Sequence, residues 1–207
     1  MSEHDNDLLL IIDVQNDFCG GGNLEVPDGD AVVPAINALC QRFPHRVLTQ
    51  DWHPAGHASF ASSHAGRNPF EVIEVSYGPQ VLWPDHCVQA SVGAEFHPDL
   101  EVSGAEMIVR KGYREEIDSY SAFFENDHAT PTGLAGYLRE RGFKRLYMAG
   151  LATDYCVAYS ALDARKLGFE VIVIDDACRA IDLEGSLGAA LRQFEESGVE
   201  LVTSHAV

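Results

Sequence analysis

Short apolar runs recur along the chain, separated by longer stretches whose apolar positions follow a helical spacing. The runs are LLLIID (8–13), RVLTQD (46–51), EMIVRK (106–111), RLYMAG (145–150), VIVIDD (171–176) and VELVT (199–203). Their apolarity is continuous rather than alternating, the pattern of strands covered on both faces, so a parallel sheet is predicted. The stretches between them read as helices. Thr130 and Pro131 suit the N-cap and first position of a helix through LAGYLRER that Gly142 stops. Leu183, Leu187, Ala190, Leu191 and Phe194 fall on one face of another helix, closed by Gly198. Strand and helix alternate, which predicts an α/β fold: a three-layer sandwich around a mostly parallel sheet of about six strands. Residues 52–105 break the pattern. They are rich in Pro, Gly, Ser and His and have little periodicity, so they read as a loop-rich functional excursion within one domain spanning 1–207.

In an open parallel sheet the ligand crevice lies at the carboxyl ends of the strands. Here the first run ends in Asp13, the second in Asp51 followed by Trp52 and His53, the third in Lys111, and the fourth leads through Gly150 into ATDYC and Cys156. Each residue alone has an ordinary structural role: an Asp caps or turns, a Lys is a solvated charge, a Cys fills a core. Their coincidence on one rim points to chemistry. Thr153 or Asp154 can cap the helix that follows, placing Cys156 in its first turn, where unpaired N–H groups and the helix dipole favour a thiolate. A nearby Lys111 ammonium is expected to lower the thiol pKa further, with Asp13 accepting its proton. Backbone N–H groups around Ala152 and Cys156 would then form an oxyanion hole.

Asp51-x-His53 places two side chains on one side of an extended chain, and His86 in WPDHC can return from the excursion as a third ligand. Two imidazoles and a carboxylate suit Zn, Fe or Mn; the bland alternative is a turn around Trp52 with an interfacial His86. His57 either adds a fourth ligand or lines the loop. His4, His45, His64, His97, His128 and His205 have no partner pattern and are expected at the surface. Cys40 and Cys178 read as core or helix-end residues, and Cys19 and Cys87 as merely near the site.

Composition narrows the function classes. At 207 residues and 46% hydrophobic content the chain supports one sizeable core. No apolar run reaches the ~18 residues of a membrane span, and the acidic start is unlike a secretory leader, so a cytoplasmic protein is expected. Five cysteines, scattered without a CxxC pair, read as thiols. The net charge of −18 disfavours nucleic-acid and membrane partners and favours a small neutral or cationic ligand.

The strings DVQNDFCGGGNL (13–24), TQDWHPAGHASFA (49–61), WPDHCVQ (83–89), RKGYREEIDSYSAF (110–123) and GLATDYCVAYSALDA (150–164) closely resemble the nicotinamidase, or pyrazinamidase, branch of the isochorismatase-like cysteine hydrolases. The resemblance runs in unbroken order over residues 8–203. It implies a catalytic triad of Asp13, Lys111 and Cys156, metal ligands Asp51, His53 and His86, and oxyanion-hole amides at Ala152 and Cys156 with a cis peptide at Leu151–Ala152. Phe18 and Trp83 look like the walls around a pyridine ring, with Tyr120 and Tyr155 at the rim. Family members differ around His57. The implied activity is hydrolysis of nicotinamide to nicotinate and ammonia through a cysteine thioester, feeding NAD salvage and extending to pyrazinamide. One divalent metal ion is implied, Zn first, with Fe or Mn as alternatives. The partner is then the small-molecule substrate, and a homo-oligomer stays open. Another amidase or carbamoyl hydrolase of the superfamily would keep the triad but need not keep the metal, an isochorismatase-type vinyl-ether hydrolase would lack the cysteine, and a non-catalytic metal-binding module would use only the Asp and His residues.

Overall fold

The leucine-rich first run shows why the strands carry no alternation. Leu8, Leu10 and Ile12 face one apolar core while Leu9 and Ile11 face another, and all are 0–1% exposed. Burying a side chain of this size stabilises the fold by ~1.5–3 kcal/mol, so a central strand gains on both faces. The computed structural model describes His4 and residues 6–207. The sequence reading of the extreme N-terminus therefore lies in part outside the described residues.

The elements follow in order: β1 (Asp7–Ile12), α1 (Val32–Cys40), β2 (Arg46–Asp51), β3 (Val72–Val75), β4 (Gly78–Val81), β5 (Met107–Lys111), α2 (Leu134–Arg141), β6 (Arg145–Leu151), α3 (Ala158–Lys166), β7 (Glu170–Arg179), α4 (Ser186–Ser197) and β8 (Glu200–Val202). Six strands form one sheet in the order β5-β2-β1-β6-β7-β8, with every pairing parallel. α1 covers one face; α2, α3 and α4 cover the other. The excursion carries one regular feature that periodicity did not reveal, the antiparallel hairpin β3–β4. No helix of the described residues is long and apolar enough to cross a membrane.

Several local expectations need correction. α2 starts at Leu134, after Gly133 in the left-handed region (φ 100°). Thr130 instead hydrogen-bonds Asp127, and Pro131 bridges to Phe124. Gly142 does end the helix, at φ 82°. In α4 the buried residues are Ala190 and Phe194, Leu183 precedes the helix in a short turn, and Leu191 faces solvent at 37% exposure. His4 is buried rather than at the surface, because its ring stacks on Phe43, meets Tyr147 edge-on and bonds Asp7 (2.9 Å).

The chain runs outward from β1 to β2 and β5, then returns across the sheet to β6 on the other side of β1. The topological switch therefore lies between β1 and β6, the place where such sheets open a crevice at their carboxyl ends.

Candidate active site

Asp13 follows β1 directly and takes a left-handed backbone (φ 49°), which Asp tolerates better than most residues. Its N–H donates to Thr49 Oγ1 (3.2 Å), and the Thr49 hydroxyl donates back to Asp13 Oδ1 (2.6 Å). Across the switch, β6 passes so close to β1 that a side chain at Gly150 would put its Cβ 2.0 Å from Ile12 O. Beyond β6 the Leu151–Ala152 peptide is cis. The chain then enters a wide turn over Thr153–Val157, in which Val157 N–H reaches back five residues to Ala152 O (3.1 Å). Such π-type turns gather at functional sites. Cys156 sits in this first turn, but no side chain caps it. Asp154 instead accepts from Ile181 N–H (3.1 Å), Asp182 N–H (2.7 Å) and the Ser186 hydroxyl (2.5 Å), tying the turn to the start of α4.

Lys111, at the end of β5, reaches under both. Its side chain is fully buried, and its ammonium lies 2.8 Å from Asp13 Oδ2. It also donates to Asp51 Oδ1, to Ser119 O (2.9 Å) and to Cys156 Sγ (3.4 Å). Oxygens of Asp13 and Asp51 and the sulfur of Cys156 all lie within 4.8 Å of one another. The three residues predicted to act together are thus in contact.

The charge state differs from the sequence expectation. Burial pushes the Cys156 thiol well above its ordinary value; Lys111 counters this only in part, while Asp13 and Asp51 add to it. This shift favours the thiol over the thiolate that the helix terminus suggested. Burial likewise raises Asp13 to about 6, against the pull of Lys111, leaving it a base matched to near-neutral pH. Burial disfavours charge on Lys111 too, but Asp13 and Asp51 outweigh it and hold the ammonium protonated.

Asp51 joins this cluster to a second one. Its Oδ1 takes the lysine, while its Oδ2 faces His53 Nε2 (3.6 Å) and His86 Nε2 (3.9 Å). Both imidazoles have their other nitrogen committed: His53 Nδ1 donates to Gly112 O (2.9 Å) and His86 Nδ1 to Pro84 O (2.8 Å). A side chain at Gly112 would place its Cβ 2.4 Å from the His53 ring, so glycine is required there. Fixing the tautomers in this way leaves two Nε2 lone pairs and a carboxylate oxygen converging in a buried space, an N₂O donor set that fits a divalent metal ion. His57 is engaged differently. Its Nδ1 accepts from Ser59, by hydroxyl (2.7 Å) and N–H (3.2 Å), and its Nε2 donates to Ile117 O (3.2 Å). Its ring centroid lies 4.4 Å from that of His53, and ligand atoms of His57, His53 and Asp118 lie within 4.8 Å of one another.

Beside these clusters lies a narrow cavity of about 20 Å³, well below the ~300–1,000 Å³ span of ligand pockets, so its side-chain walls must part to admit a ring. Phe18, Trp83, Tyr120 and Tyr155 all line it, together with Asp51, His86, Ala152 and Cys156. The Trp83 and Tyr155 rings meet edge to face with centroids 4.9 Å apart.

Sequence reasoning missed the residues that hold this arrangement. Gln15 exchanges two hydrogen bonds with the Asp51 backbone, Nε2 to O (2.9 Å) and N–H to Oε1 (2.7 Å). Asp17 accepts Cys87 N–H (2.7 Å) and so fixes the residue after His86. Gln80, from β4, donates to Tyr120 OH (2.9 Å) and Asp118 Oδ2 (3.0 Å), and Trp83 Nε1 donates to the same hydroxyl (2.9 Å). The signals were polar residues where an apolar one fits the pattern: Thr49 inside a strand run, and Gln15 and Asp17 spaced by two after Asp13.

Comparison with known proteins agrees with this geometry. The Isochorismatase domain family matches residues 7–206. A nicotinamidase of Acinetobacter baylyi is 52% identical over 207 residues, covering 100% of this chain and 97% of its own. The solved structure of a nicotinamidase/pyrazinamidase from Acinetobacter baumanii superposes with a TM-score of 0.98 at 54% identity, covering 99% of each chain. A pyrazinamidase of Pyrococcus horikoshii solved in complex with zinc gives a TM-score of 0.78 at 37% identity, covering 96% of this chain and 99% of its own.

Proposed function

The chain belongs to the Isochorismatase domain family, and we propose that within it the protein hydrolyses nicotinamide to nicotinate and ammonia by way of a Cys156 thioester. The observation that carries this reading is the contact of one buried ammonium with Asp13 Oδ2 (2.8 Å) and Cys156 Sγ (3.4 Å) beside an aromatic-walled cavity. The same pocket accepts pyrazinamide, whose ring and carboxamide have the same shape, and the activity returns nicotinamide to NAD synthesis in the cytoplasm.

In this reading the substrate ring sits between Phe18 and Trp83 with its carboxamide toward Cys156. Asp13 takes the thiol proton as the sulfur attacks the carbonyl carbon, so that no free thiolate has to exist in the buried resting site. The C–S bond forms and the oxyanion is held by the amides of Ala152 and Cys156, donors of a kind worth ~3 kcal/mol each. Asp13 returns its proton to the nitrogen, the C–N bond breaks and ammonia leaves. Asp13 next deprotonates a water that attacks the thioester; the C–S bond breaks, the sulfur regains a proton, and nicotinate departs. Lys111 remains an ammonium throughout and balances the charge that moves between Asp13 and the sulfur.

Asp51, His53 and His86 would hold one divalent metal ion, zinc by donor type with iron or manganese as alternatives, and when bound it supplies a Lewis-acid contact for the ring nitrogen. Ammonia release from a panel of aromatic and aliphatic amides, with and without chelator, tests the proposal. Turnover of nicotinamide and pyrazinamide well above that of aliphatic amides, reduced by chelation, is expected. Equal turnover of aliphatic amides would overturn the assignment of the ring-binding walls.

A further inference from the structure

Another group of side chains of metal-ligand type opens on a cleft different from the catalytic cavity. The sulfur of Cys19, a carboxylate oxygen of Asp30 and an imidazole nitrogen of His97 are all within 4.8 Å of one another. They come from separate segments: the loop after β1, the turn that leads into α1, and the stretch following Ala94. Asp30 is held in place, its Oδ2 accepting Gly20 N–H (2.7 Å) while its Oδ1 faces His97 Nε2 (3.1 Å). The cleft over the group is lined by Asp17, Asp30 and Glu95 and by no Lys or Arg. From these observations we infer that Cys19, Asp30 and His97 form a second divalent-cation site, of the zinc class, separate from the one at Asp51.

One sulfur, one nitrogen and one oxygen with an open side toward the cleft is the donor set of a four-coordinate ion that completes its shell with water. A field made only of acids draws a cation to it. At present the space is bridged by a proton on the His97–Asp30 contact, and burial with the nearby Asp30 pushes the Cys19 thiol up to about 12. A bound ion reverses that environment and takes the sulfur as thiolate. The chemistry balances simply. The thiol releases its proton to solvent, and His97 shifts its proton from Nε2 to Nδ1, giving up the weak bond in which Nδ1 accepts Asp99 N–H (3.2 Å). The sulfur–metal and nitrogen–metal bonds form, and nothing is oxidised or reduced.

This explains how the two sites differ in rank. His53 and His86 already donate from Nδ1 to backbone carbonyls and present Nε2 free, whereas His97 must change tautomer. The Cys19 site therefore fills second. Because one proton leaves per ion bound, its affinity rises about tenfold per pH unit below the thiol pKa.

The test uses the metal-loaded protein equilibrated with Zn²⁺ at fixed free concentrations, with zinc per chain measured in wild type, Cys19→Ser and His97→Ala. Wild type is expected to bind one ion more than either variant, whatever number the catalytic centre holds, while all three hydrolyse nicotinamide at the same rate and so report an intact fold. Should Cys19→Ser fold poorly, the exposed Asp30→Asn takes its place. In a Cys156→Ala background loaded with Co²⁺, a near-ultraviolet thiolate-to-cobalt band is expected and is lost on adding Cys19→Ser. Equal zinc content in wild type and variants, or a cobalt band that survives Cys19→Ser, would overturn the inference.

Discussion

Removing the hydroxyl at Thr49 tests the role of Asp13 without touching the triad. The Thr49 hydroxyl donates to Asp13 Oδ1 at 2.6 Å in a buried site, and this bond favours the ionised carboxylate. A hydrogen bond to a charged group contributes ~1.5–3 kcal/mol, and one pKa unit corresponds to ~1.4 kcal/mol, so Thr49→Val raises the Asp13 pKa by ~1–2 units. Asp13 lies at about 6 in the wild type. In the proposed mechanism Asp13 is the base and must be unprotonated to take the thiol proton, so kcat/KM for nicotinamide is expected to fall as pH drops through about 6. In Thr49→Val the acid limb moves to pH ~7–8 by the same arithmetic. The substitution also leaves Asp13 N–H without its acceptor, a loss of ~1–3 kcal/mol in stability that chemical denaturation measures separately. Thr49→Ser keeps the hydroxyl and restores the wild-type limb. The assay is initial-rate ammonia release from pH 5 to 9 in the three proteins. An unmoved acid limb in Thr49→Val would refute the assignment of that limb to Asp13.

Other variants probe the remaining parts. Cys156→Ala abolishes turnover while nicotinamide binding, measured by calorimetry, survives; residual turnover above about a thousandth of wild type would place the nucleophile elsewhere. Lys111→Met leaves Asp13 and Asp51 buried without their cation and destabilises the protein by ~3–5 kcal/mol in denaturant titrations, as removal of one partner from a buried pair does; a loss under 1 kcal/mol would mean the charges are compensated otherwise. His86→Ala lowers the bound metal and raises KM for nicotinamide more than it lowers the thermal midpoint, and elemental analysis with kinetics separates the two effects.

Much of this site was legible because strand ends are legible. A run such as RVLTQD or EMIVRK stops where its apolar residues stop, and in a parallel sheet that point lies on the ligand rim, so Asp51 and Lys111 announced themselves. What the sequence concealed depends on tertiary surroundings. The thiol state of Cys156 follows from full burial beside two carboxylates, whereas the sequence offered only its helix terminus and a lysine. α2 begins late because Asp127 holds Thr130 in a turn. Leu191 matched the helical period, yet α4 buries only a narrow stripe on this sheet face, through Ala190 and Phe194. His4 is indistinguishable in sequence from a surface histidine until Phe43 stacks on it. Gln80 carries no motif at all, because its partners Asp118, Tyr120 and Tyr77 are gathered by the hairpin alone.

Rapid acid quench of the protein during nicotinamide turnover, followed by mass mapping of its peptides, shows whether the sulfur of Cys156 attacks the substrate. A nicotinoyl group on the peptide containing Cys156, absent in Asp13→Asn, is the result predicted. Full turnover with no acyl group on that cysteine at any quench time, or an acyl group on another residue, would contradict it.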